Sequence, residues 1–134
     1  MATVITNVGQ AIASGRMIGG TPSQAEPKNI GWGTGAGTAA AGDTTLFTEK
    51  AVDLSAGSGT RTAGTSSQVT TTVTNDTYQV VGTRTATGAG TVTNVGLFDN
   101  VTMGSGVLYL KGDFTGIPLA SGESITFTIK VKFS

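Results

Sequence analysis

The chain has no cysteine and no histidine. Without cysteine there is no disulfide and no thiolate metal site, and nothing points to a redox compartment. Without histidine the commonest general base and metal ligand is missing, and no serine can complete an ordinary Ser-His-Asp triad. Charge is scarce as well. Asp, Glu, Lys and Arg make up 12% of the 134 residues and sum to a formal net charge of zero, against about a quarter in ordinary soluble domains. The eight basic residues are scattered from Arg16 to Lys132. They form no cationic stripe of the kind phosphate binding needs, so nucleic acid is not an expected partner. No run of about 18 apolar residues occurs, which leaves no expected helical membrane span. The opening "MATVITNVGQAIASGR" has no basic segment ahead of an apolar core, and is not expected to act as a secretory signal. The sequons at Asn75 and Asn100 then read as accidents of a Thr-rich chain.

What the chain does have is threonine, valine and glycine, with threonine the commonest of the three. Stiff β-branched side chains favour pleated strands. In "SITFTIKVKF" (124–133) Ile125, Phe127, Ile129, Val131 and Phe133 share one parity, and Thr126, Thr128, Lys130 and Lys132 the other. That alternation predicts a strand with one face in a core. Further strands are expected in "VLYLKGDF" (107–114), "TVTNVGLF" (91–98), "TYQVVGTRTA" (77–86) and "QVTTTVT" (68–74). A shift of apolar parity predicts a bulge near Asn94. All four residues of "VLYL" are apolar, which suggests cover on both faces, one by the core and one by another subunit. A short strand is expected in "AIASGRMIGG", and one short helix in "DTTLFTEKAVDL" (43–54) with Asp43 as N-cap. The polar run "LSAGSGTRTAGTSSQ" reads as a mobile loop or an edge segment. Together these predict one all-β domain over residues 1–134, an antiparallel β-sandwich or barrel, with about the first 20 residues as an extended N-terminal arm.

The densest chemistry-like pattern is "NIGWGTGAGTAAAGDTTLF" (29–47). Gly31, Gly33 and Ala36 match a G-x-G-x-x-A dinucleotide fingerprint, with Asp53 about 20 residues on. That motif needs a strand before it and a helix opening from it, yet Pro27 precedes it and no βαβ pattern follows. The glycines more simply supply positive φ and close backbone approach around Trp32. Glu49 and Asp53, four apart, offer an acid/base pair, half a metal site, or a solvated helix face. Asp76, Asp99 and Asp113 fall at strand ends, as calcium ligands or as turn-forming side chains. Trp32 is either a sugar-stacking platform or a core or interface residue. The bland reading is preferred in each case, and no catalytic, cofactor-binding or metal-ligating residue is assigned.

The residues Gly31 to Gly35, Gly96 to Asp99 ("GLFD") and Leu119 to Thr128 ("LASGESITFT") resemble a group of small tailed-bacteriophage virion proteins, with the likeness running through most of the chain from about residue 30. The resemblance implies a sandwich of jelly-roll type, usually homotrimeric, serving as a capsid decoration or cement protein. Such a protein would bind the major capsid protein on the exterior of the virion, after synthesis in the cytoplasm of the bacterial host, and would have no enzymatic activity, cofactor or metal. Some relatives in that group are fibre or tail structural modules, for which a receptor or glycan would be the partner.

Overall fold

Parity decides the C-terminal strand as the alternation demands. In the computed structural model, which describes residues 2–133, Phe127, Ile129 and Val131 are buried, whereas Thr126, Thr128, Lys130 and Lys132 are exposed. Phe133 departs from the expectation. It lies one residue beyond the strand and is 53% exposed. In chain order the described residues form β1 (Thr3–Ile5), helix α1 (Asn7–Met17), β2 (Asn29–Gly33), β3 (Glu49–Lys50), β4 (Thr62–Ala63), β5 (Thr65–Val69), β6 (Thr77–Thr85), β7 (Gly90–Phe98), β8 (Leu108–Leu119) and β9 (Ser124–Lys132).

The strands make two antiparallel sheets. The larger runs β1-β8-β7-β2-β3 with β4 also against β2, and the smaller runs β5-β6-β9. One apolar core unites them: Ile30, Trp32, Val95, Leu97 and Leu110 from the larger sheet meet Val80, Phe127, Ile129 and Val131 from the smaller. The fold is therefore an all-β, antiparallel, sandwich-like arrangement with one short helix. The bulge expected near Asn94 is present, as a register shift between Val92 and Asn94 where β7 pairs with β8.

Several expectations are overturned. The strand expected at 68–74 lies instead at Thr65–Val69 as β5, and residues 71–75 form bends and a turn. The helix is not at 43–54 but at 7–17, in place of the short strand expected within "AIASGRMIGG". Thr6 caps it, its hydroxyl accepting the Gly9 N–H at 3.0 Å, and Gly9 lets it lie on β8, where a Cβ would strike the Tyr109 carbonyl. Residues 43–54 cannot be helical because Thr48 and Leu54 have φ of 50° and 59°, and the segment turns back to cover the larger sheet. The arm expected over about the first 20 residues is not free among the described residues: Thr3–Ile5 pairs with Leu110–Gly112, and Ile12 is buried in the core. Finally, β2 runs straight through the first half of the glycine ribbon, where Pro27 argued against a strand, and all five of its residues are buried. The edge alternative holds for the end of the polar run, residues 65–68, which lie in β5, an outer strand of the smaller sheet, whereas residues 54–61 are bends and loop.

Candidate functional site

The glycine ribbon shapes the outer face of the larger sheet. Beyond β2 the chain runs out and doubles back, with Thr34 and Gly35 donating to the carbonyls of Thr48 and Phe47 at 3.1 and 3.0 Å. A Cβ on Gly33 would lie 2.7 Å from Asn94 Nδ2, one on Gly35 2.6 Å from Thr48 Oγ1, and one on Gly37 2.6 Å from the Phe47 ring. None of Gly31, Gly33, Gly35 and Gly37 has positive φ. Their task is close approach, to Phe47 for Gly33, Gly35 and Gly37 and to Glu49, Phe98 and Leu46 for Gly31, rather than to Trp32. The ribbon opens no helix, so no helix N-terminus is there to hold a pyrophosphate.

Asn94, fully buried at the bulge, fastens this cover. Its Oδ1 accepts the Phe47 N–H at 3.0 Å, and its Nδ2 donates to the Phe47 carbonyl at 3.1 Å. Leu46 then packs on Phe98 and Leu108. The second face of "VLYL" is thus covered by the chain's own loop and needs no other subunit.

Three cations are buried in and around this layer. Lys111 Nζ donates to Asp43 Oδ2 and the Thr45 carbonyl, both at 2.9 Å, and sits over the Phe47 ring. Arg61 grips Glu49 with two hydrogen bonds of 2.7 and 3.0 Å. Its Nη1 donates to the carbonyls of Asn100, Thr102 and Ser105, which ties down the 99–106 loop. Arg84 has no carboxylate partner among the described residues. It lies over Trp32 at 4.9 Å and donates to Thr62 Oγ1 and the carbonyls of Thr60 and Lys50, while its Nε is unpartnered. Burial, more than nearby Arg61, pushes its pKa down to about 10, so it stays charged at neutral pH.

The residues singled out from the sequence are dispersed. Glu49 and Asp53 share no helix: Glu49 belongs to Arg61, and Asp53 accepts the N–H groups of Ser55 and Ala56. Asp76 accepts N–H groups from Thr71, Thr72 and Val73, which hold its carboxyl well below the usual range. Asp99 accepts from Val107 and Asp113 from Ala39. Asp53 and Asp76 are turn-forming side chains and Asp99 closes its loop, but Asp113 lies within β8 rather than at a strand end, and its carboxylate accepts the N–H groups of Ala2 and Ala39. Asn75 occupies the left-handed region at φ 59°. Asn100 accepts the Thr102 N–H. Trp32 is a core residue at 0% exposure, its indole N–H donating to the Ala51 carbonyl at 3.1 Å. Among the described residues no three Asp or Glu side chains converge as a metal site.

Sequence reasoning missed Arg61, Arg84 and Lys111 as organisers. The one available signal was a lone cation inside an otherwise apolar strand, as in "VLYLKGDF". What stays open is surface. An apolar cleft of about 670 Å3 lies beside α1 and includes Ile12, Met17, Tyr78, Tyr109 and Phe133. A second opening, of about 390 Å3, lies between β8 and β9. The outward face of the smaller sheet carries Thr126, Thr128, Lys130 and Lys132, with Thr83 and Thr126 joined hydroxyl to hydroxyl at 2.7 Å. A scan for known protein families and searches of curated proteins and of solved structures find no match to this chain.

Proposed function

We propose that the protein is a non-enzymatic bacteriophage capsid decoration, or cement, protein. In this reading it acts as a homotrimer on the exterior of the assembled head and stabilises contacts between copies of the major capsid protein. The observation that carries the reading is the resemblance at Gly31–Gly35, Gly96–Asp99 and Leu119–Thr128. Those motifs are used for building: Gly31 pairs with Gly96 at the centre of the larger sheet, and Leu119–Thr128 forms the turn from β8 into β9. A signature made of scaffold residues suits a protein whose work is contact.

The chemistry agrees. The buried cations, and Asp43, Glu49, Asp53, Asp76, Asp99 and Asp113, are all engaged in bonds inside the fold. The exposed Met17 and Ile18 at the end of α1, 84% and 85% accessible, and Phe133 nearby across the cleft offer an apolar end for binding a shell. Three such ends on one trimer would gain from effective concentration, so modest contacts suffice. The cleft with Tyr78 and Tyr109 favours a second reading, a fibre or tail module that binds a receptor or glycan, because aromatic walls suit sugar rings. Electron microscopy of particles carrying gold-labelled protein separates the two. The cement reading expects many labels spread over the head, and labels confined to the tail would replace it with the second.

A further inference from the structure

The two sheets do not close on one another along every side. Between β8 and β9 the space between them opens to solvent as the slot of about 390 Å3. Phe114 and Ile125 are only half-buried there, and Ile117 is 39% exposed. The strand register makes these inward positions, because Ile117 stands opposite buried Val92 and Ile125 opposite buried Arg84. Phe114 leans on the core residue Phe127, with ring centroids 6.4 Å apart. They are core positions that lack neighbours on one side, which distinguishes them from apolar residues scattered singly on a surface.

Both lips of the slot are unpaired strand edges. Among the described residues β9 has a partner only in β6, so alternate backbone groups along its nine residues face away from any strand there. β8 meets β1 only over Leu110–Gly112, which leaves its continuation to Leu119 open on that side. Such edges are templates for another strand. The lips also differ in charge. The Lys130 side chain, on β9, makes no hydrogen bond or ion pair among the described residues, and the Asp113 carboxylate, on β8, accepts the N–H groups of Ala2 and Ala39 but has no cation among them.

We infer that a second copy of this chain fills the slot, joined head to tail. The β9 lip of one copy lies against the β8 lip of the next, Lys130 faces the neighbour's Asp113, and Phe114, Ile117 and Ile125 are buried between copies. Unlike lips make the contact heterologous, and heterologous contacts close into rings when the rotation allows. The inference rests on the self-association proposed above, and adds to it the surface through which copies meet. A two-fold pairing of β9 with β9 would instead join like lips and leave Asp113 without its cation.

The absence of cysteine makes the test clean. Thr128→Cys and Thr115→Cys variants, both at exposed positions, are mixed while reduced and then oxidised, with each variant oxidised alone beside the mixture. Disulfide-linked pairs are expected from the mixture and not from either variant alone. Cross-linking of Thr128→Cys with itself would overturn the head-to-tail arrangement in favour of two-fold pairing. In parallel, sedimentation at micromolar concentration should find the unaltered protein oligomeric, the Met17→Asp variant still oligomeric, and the Ile117→Asp variant monomeric with an unchanged far-UV spectrum. If Ile117→Asp loses its β spectrum, Lys130→Glu, which puts like charges on both lips, supplies the same readout from an exposed site. An unaltered protein that is monomeric would remove the trimer and this interface together. An oligomer that survives both substitutions would remove only the interface.

Discussion

A methyl group added at Gly33 would have to occupy space already held by the Phe47 carbonyl and the Asn94 amide. Neither can give way, because the two are hydrogen-bonded to each other. Gly33→Ala is therefore expected to lower unfolding stability by about 1–3 kcal/mol, the usual cost of overpacking. Gly42→Ala, whose added Cβ meets nothing within 4 Å, is expected to be close to neutral. Urea unfolding of the two variants checks the difference, and equal effects would mean that the ribbon does not pack on Phe47 as described. The carboxylates allow a second expectation at this scale. Lys111 holds the Asp43 carboxyl below its ordinary range, and backbone N–H groups do the same for Asp53 and Asp76. Groups more acidic in the fold than in the unfolded chain contribute fully above about pH 4, and their contribution is lost as pH falls through the folded values. Melting temperature should accordingly fall on acidification below pH 4 and stay nearly flat from about pH 6 to 8, since there is no histidine to titrate. Asp43→Asn should make the acid fall shallower. Calorimetry across pH reads both, and a stability that rises on acidification would contradict the assignment.

At the scale of elements, β9 gives the sharpest contrast. Phe127 is 8% exposed and points into the core, while its neighbour Thr126 is exposed. Phe127→Asp is expected to unfold the domain, because an unpaired buried carboxylate costs several kcal/mol or must take up a proton. Thr126→Asp should leave the far-UV spectrum and melting transition nearly unchanged. Equal damage from both would mean that β9 is covered on both faces. Strands of this kind were legible in the sequence because one face meets core and the other water, which writes a period of two into the residues. β2 was illegible for the opposite reason. Its two faces are both buried, one under the core and one under the chain's own loop, and the glycines that admit the loop erase the alternation. The helix was hidden by Gly9 and Gly15, which lower helix propensity, although Thr6 followed by Val8 and Ile12 carried a cap and an i, i+4 pair. Residues 43–54 had the reverse problem, a helical look overridden by Leu46 filling the Phe98–Leu108 patch and by Asp43 reaching Lys111. The buried cations left no periodic trace at all. Only their partners, distant in sequence, explain them.

For the whole molecule, the surfaces that stay open are an apolar end at α1, a slot between β8 and β9, and a threonine-rich sheet face, each suited to contact with another protein. In the proposed role the protein adds such contacts to a shell that has already assembled. Particles made without it should therefore form, package DNA and then fail under stress. The most direct measurement is the temperature at which DNA is released from particles with and without the protein, heated side by side. The account predicts release at a lower temperature from the particles that lack it, with restoration when purified protein is added back. Release at the same temperature from both, with the deficient particles instead failing to adsorb to cells, would contradict it and point to a receptor-binding module.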